Sequence, residues 1–124
     1  MPLSPLAGAP VFDRDGFTFR PLAVPSRGST ELAVWSLELA PGARSEPHHM
    51  DREEVFVVLD GEVSASIAGE EVLAGPGDAV IVPANTVLRL RNASAQAPAA
   101  VTAVTSAGMK ATVGGATFPP PWAQ

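Results

Sequence analysis

The chain has 124 residues, eight Lys+Arg against thirteen Asp+Glu for a formal net charge of −5, 46% hydrophobic residues and no cysteine. That length suits one domain, residues 1–124, with a core that needs no disulfide, and the missing thiols exclude cysteine nucleophiles, thiolate metal sites and iron–sulfur clusters. The basic residues are scattered rather than arrayed for nucleic acid, Met1–Leu6 lacks a secretory leader's charged start and apolar run, and no apolar run approaches a membrane span, so the expectation is a soluble, cytoplasmic protein without nucleic-acid or membrane partners.

Thirteen prolines and eleven glycines among short Val/Ala/Leu-rich runs favour an all-β fold. Residues 1–10 read as a loose arm. Strand signals then run over Glu31–Ala40, ending at Pro41-Gly42, over Ser45–Met50, and over Glu54–Leu59, ending at Asp60-Gly61, a hairpin signal. Glu62–Ile67 alternates cleanly and turns at Ala68-Gly69-Glu70. Glu71–Leu73, a turn at Gly75–Asp78, Ala79–Val82 and Thr86–Asn92 follow. A loop of small residues at 93–100 precedes Val101–Ser106. The tail, 114–124, is Gly/Pro-rich. Its Phe118-Pro119-Pro120-Pro121-Trp122 stretch fits neither helix nor sheet, and its aromatics are expected to lid an apolar mouth or clasp a partner subunit. Eight or more short strands at such spacing indicate a sandwich or closed barrel.

The only histidines, His48 and His49, are adjacent, so a strand puts them on opposite faces. Glu46 and Met50 share the face of His48, while Ser45 and Pro47 share that of His49. Glu54 heads the apolar run Val55–Leu59 on the face of Phe56 and Val58, which makes it an inward carboxylate in need of a partner. An imidazole and a carboxylate inside a barrel can hold a divalent metal (Zn, Mn, Fe or Ni) or move protons at neutral pH. The residues leave both open. Arg89 and Arg91 alternate against Leu88 and Leu90 and read as solvent-facing; Trp35 reads as core or dimer contact.

The spacing Gly42-(five)-His48-x-Met50-(three)-Glu54-(six)-Gly61, residues 42–61, resembles the first cupin motif. Gly77-(five)-Pro83-x-Asn85-(two)-Leu88-(three)-Asn92, residues 77–92, resembles the second. The resemblance implies a jelly-roll barrel (a double-stranded β-helix of short antiparallel strands) and a homodimer. The run Val55–Leu59, apolar on both faces, agrees with a covered outer face. Cupins bind metal through two His and a Glu of the first motif and a His of the second. Here those positions read His48, Met50, Glu54 and Leu88, so two imidazoles are gone. Met50 suits copper better than harder ions, and Asn85 replaces a turn glycine.

Three functions follow from this reading. The first is a small-molecule isomerase, cyclase or lyase using His48 and Glu54 as acid and base, with Glu46, Met50, Phe56 and Leu88 lining an apolar pocket and a divalent metal optional. The second is a non-catalytic ligand-binding or regulatory module. The third is a metal-dependent oxygenase with a His48/Met50/Glu54 shell.

Overall fold

A computed structural model describes residues 2–124; Met1, the first residue of the expected arm, lies outside the described residues. Twelve strands are described: β1 (Phe12–Arg14), β2 (Phe17–Ala23), β3 (Leu32–Leu39), β4 (His48–Met50), β5 (Glu54–Asp60), β6 (Val63–Ile67), β7 (Glu70–Ala74), β8 (Ala79–Val82), β9 (Leu88–Asn92), β10 (Ala99–Ser106), β11 (Ala111–Val113) and β12 (Ala116–Phe118). They form two six-stranded antiparallel sheets, ordered β1-β2-β3-β10-β5-β8 and β12-β11-β4-β9-β6-β7. Their inner faces share one apolar core, so the all-β barrel expectation holds. No helix among the described residues is long and apolar enough to cross a membrane.

Period-two alternation decides which residues enter that core. On β5, Glu54, Phe56 and Val58 are buried, while Val55 and Val57 are half-buried and Leu59 is exposed. The outward residues continue across the sheet as an apolar row, Ile81, Val55, Val104 and Val34. On β9, Leu88, Leu90 and Asn92 point in and Arg89 and Arg91 point out. Asn92 is buried yet satisfied: its Nδ2 donates to the carbonyls of Leu39, Ala40 and Ala97, and its Oδ1 accepts from the Ser94 amide. It thereby ties the loop after β9 to the end of β3.

Several local expectations change. Asp60-Gly61 is not a hairpin: β5 pairs with β10 and β8, whereas β6 pairs with β7 and β9, so the chain crosses between sheets there. Gly61 sits at φ +79°, and a Cβ on it would meet the Pro98 carbonyl oxygen at 2.9 Å. The dipeptide marks a left-handed position; long-range packing chooses the partner strand. The strand expected over Ser45–Met50 shortens to β4: Arg44 bridges Arg91 and the Ser45 amide donates to the Leu90 carbonyl, but the chain bends at Pro47 before the strand begins. The segment 11–30, given no strand above, carries the β1–β2 hairpin. Its two-residue turn, Asp15-Gly16, has both φ angles positive, as a primed hairpin turn requires.

The two ends of the chain are more ordered than the composition implies. The N-terminal arm has no strand among its described residues but is tied down by Ser4 Oγ donating to the Leu22 carbonyl and Arg27 donating to that of Pro5. The tail is not free of regular structure. Phe118 ends β12, which pairs with β11 through a Gly114-Gly115 turn, and Pro121–Ala123 forms one 3-10 turn. Proline is tolerated at such a turn's first position, where its missing N–H has no partner to lose. Trp122 is buried, its ring stacked on Phe19 at 3.8 Å between centroids and 13° between planes, so it packs within its own chain.

Candidate active site

Strand β4 lies between β9 and β11, with His48 opposite Leu88 on one side and Val113 on the other. The register is fixed from outside: the Asn85 amide donates to the Met50 carbonyl at 2.7 Å, and Asn85 adopts φ +58°. Asparagine enters that left-handed region at lower cost than most side chains, so the backbone geometry survives the exchange of glycine for asparagine. His48 Nδ1 lies 2.8 Å from the Glu46 carbonyl oxygen. A carbonyl can only accept, so Nδ1 carries the hydrogen and, in the neutral ring, Nε2 keeps its lone pair. Burial, above all, lowers the pKa of His48 below its ordinary 6.5; the charges of Arg14 and His49 act the same way, and the hydrogen bond to Glu46 opposes them.

Glu54 opens β5 and faces the interior, with only 1% of its surface exposed. Its β10 partner, Thr105, donates to the Glu53 carbonyl and anchors the strand's start. Neither Glu54 carboxyl oxygen has a hydrogen-bond partner among the described residues. Desolvation alone pushes its pKa from 4.5 up to about 8, so the carboxyl is neutral at neutral pH.

His48 and Glu54 line one cavity of about 80 Å³ between the sheets. Its walls are mainly aromatic and aliphatic: Phe17, Phe19, Trp35, Leu37, Phe56 and Leu90. Exposed Arg14, Asp15 and Glu46 stand at the mouth, the Arg14 guanidinium 5.7 Å from the Phe118 ring centroid and 3.9 Å from the Asp15 carboxylate. Besides the two Glu54 oxygens, the indole Nε1 atoms of Trp35 and Trp122 are buried without partners, and both tryptophans belong to this wall. Each buried polar group left unpaired costs about 1–3 kcal/mol, so the fold carries a concentrated penalty around one cavity.

The structure therefore brings His48, Glu54, Glu46, Met50 and Phe56 to a common wall. Leu88 is buried opposite His48 but does not line the cavity; Leu90, two residues on, does. The aromatic wall from β2 was missed above, although Asp15-Gly16 before Phe17-x-Phe19 carried the signal of a hairpin with alternating apolar residues. Ser45 also lines the cavity despite the face assigned to it, because the bend before β4 breaks the alternation. His49 is half-buried on the other face of β4.

The cupin motifs imply a metal, and the donor set tests that. Among the described residues, no three His, Cys, Asp or Glu side chains converge as ligands. One imidazole, one carboxyl and the Met50 thioether fall short of the three or more nitrogen and oxygen donors that hold a catalytic divalent ion. These residues do not fit a resident divalent metal.

No curated protein matches the sequence. Among solved structures, the polyketide cyclase RemF from Streptomyces resistomycificus is 17% identical, with 96% of this chain and 82% of that one covered at a TM-score of 0.74. A cupin-superfamily sugar phosphate isomerase from Silicibacter pomeroyi is 21% identical over 90% of this chain and 81% of that one, TM-score 0.71. Salicylate 1,2-dioxygenase from Pseudoaminobacter salicylatoxidans is 18% identical over 89% of this chain and 32% of that one, TM-score 0.73. Such likenesses show a shared fold and leave the reaction open. The family model described as a cupin domain matches residues 35–105, more than half of the sequence and both spaced motifs, and the chain belongs to the cupin family.

Proposed function

We propose that the protein is a non-redox enzyme of the isomerase, cyclase or lyase type, in which His48 and Glu54 act as base and acid on a small molecule in the barrel cavity. One observation carries this reading. A neutral imidazole with a free Nε2 and a neutral carboxyl without a protein partner line the same apolar cavity. Two titratable groups displaced in opposite directions, so that each is uncharged near neutrality, form a working acid–base pair. His48 Nε2 takes a proton from carbon or hydroxyl, and the Glu54 O–H donates to the oxygen on which negative charge develops. Little water competes for either proton. The cyclase and the isomerase among the structural relatives are compatible company.

The test is hydrogen exchange at a carbon acid. 1-Indanone, incubated with the protein in deuterated buffer, loses its α-hydrogen signals by NMR as they are exchanged. The rate is expected to be highest between a lower limit below pH 6.5, where His48 protonates, and an upper limit near pH 8, where Glu54 ionises. His48→Ala and Glu54→Gln are each expected to lose on the order of 100-fold or more. Exchange no faster than in buffer, or an unchanged rate in His48→Ala, would remove the pair from catalysis.

A further inference from the structure

Among the described residues, the four buried side-chain polar atoms without partners are not scattered: both Glu54 oxygens and the Trp35 and Trp122 indole nitrogens belong to residues that line a single cavity. Folded proteins satisfy the large majority of buried polar atoms, and this fold does so elsewhere, as the four bonds of Asn92 illustrate. We infer that the cavity takes an uncharged, flat, apolar molecule bearing carbonyl or similar acceptor oxygens, recognised by the N–H groups of Trp35 and Trp122 and by the Glu54 carboxyl. This deepens the acid–base reading by naming the class of molecule on which the pair acts.

The donor inventory selects that chemistry. An indole nitrogen only donates, so both tryptophans call for acceptors. A neutral carboxyl adds a third donor and keeps one acceptor oxygen. His48 Nε2 is a second acceptor, which a hydroxyl or enol on the ligand would meet. Charge is disfavoured. The deep wall is aromatic and aliphatic, and the one cation at the mouth, Arg14, already stands beside Asp15, so a carboxylate or phosphate would lose its water without compensation. The rings of Phe17, Phe19 and Trp122, stacked in series, offer flat apolar surface to a flat ligand.

Trp35 and Trp122 are the only tryptophans in a chain without tyrosine, so its intrinsic fluorescence above 295 nm reports this cavity alone. Three probes of one shape, 1-indanone, indane and indane-1-carboxylate, are titrated into the full chain at pH 6.5. The ketone is expected to bind at least tenfold more tightly than either of the others. Trp35→Phe and Trp122→Phe each keep a ring, a reporter and the apolar wall while removing one N–H. The preference for ketone over hydrocarbon is expected to fall to threefold or less in at least one of them, with cooperative unfolding showing that each variant is folded. A ketone bound no better than indane, a preferred carboxylate, no response to any probe at millimolar concentration, or the full preference in both variants would overturn the inference. Because binding is read without turnover, a ketone preference in a protein that exchanges no α-hydrogen keeps the ligand class and drops the acid–base role, and the converse result drops the ligand class alone.

Discussion

Glu54 and Glu71 are the same residue type on opposite sides of the barrel wall. Glu71, on β7, stands in an open cleft on the outer face of the second sheet with Arg44, Arg89 and Arg91 around it. Its Oε1 accepts from Ser64 Oγ at 2.5 Å and from Arg91 at 3.0 Å, and these hydrogen bonds lower its pKa, first that of Ser64 and then that of Arg91. Glu54, inside, has no partner and is pushed the other way, to about 8. The outer carboxylate is explained by the protein's own contacts. The inner carboxyl has no such contacts, and the proposed role of Glu54 rests on that asymmetry.

Breaking the inner site has the larger consequence for stability. The unfolded Glu54 carboxyl ionises near 4.5 and the folded one near 8. Between those values the folded chain holds a proton that the unfolded chain has released, so the stability from this group is fully present below 4.5 and falls as pH rises, by about 1.4 kcal/mol per unit, levelling off above 8. Glu54→Gln removes the titration. The variant is expected to be more stable than wild type at pH 8.5, and the difference should shrink or reverse at pH 5, as read by denaturant unfolding; equal pH dependence in the two proteins would mean that the carboxyl is not held neutral. The smallest effect belongs to the outer site. Glu71→Ala is expected to move the melting temperature by no more than about 2 °C, and by less in 0.5 M salt, because the Glu71 and Arg91 side chains are both open to water. A large loss there would erase the contrast between the two glutamates.

Much of the fold was legible because β-barrels write themselves in short alternating runs between turns. Glu62–Ile67 and Ala79–Val82 map to β6 and β8 nearly residue for residue. The pair His48 and Glu54 was legible too, since motif spacing and alternation both set them inward. Pairing partners were not. Asp60-Gly61 carries the local chemistry of a hairpin and serves as a crossover between sheets. Nor did residue order reveal that the cavity draws its aromatic wall from both ends of the chain, Phe17 and Phe19 from β2 and Trp122 from the tail. Those contacts join positions about a hundred residues apart, and no local pattern encodes them. Leu88 shows the same limit at short range: its motif position placed it at the site, yet only Leu90 of that strand lines the cavity.

The proposed acid–base pair depends most directly on the protonation state of Glu54. With carbon-13 in the glutamate side chains, the carboxyl resonance absent from the Glu54→Gln spectrum can be assigned and followed from pH 4 to pH 10. A single midpoint near 8 is expected, with the neutral form dominant at pH 7. A midpoint near the ordinary 4.5 would make Glu54 a carboxylate at neutral pH, and the acid half of the proposed pair would be lost.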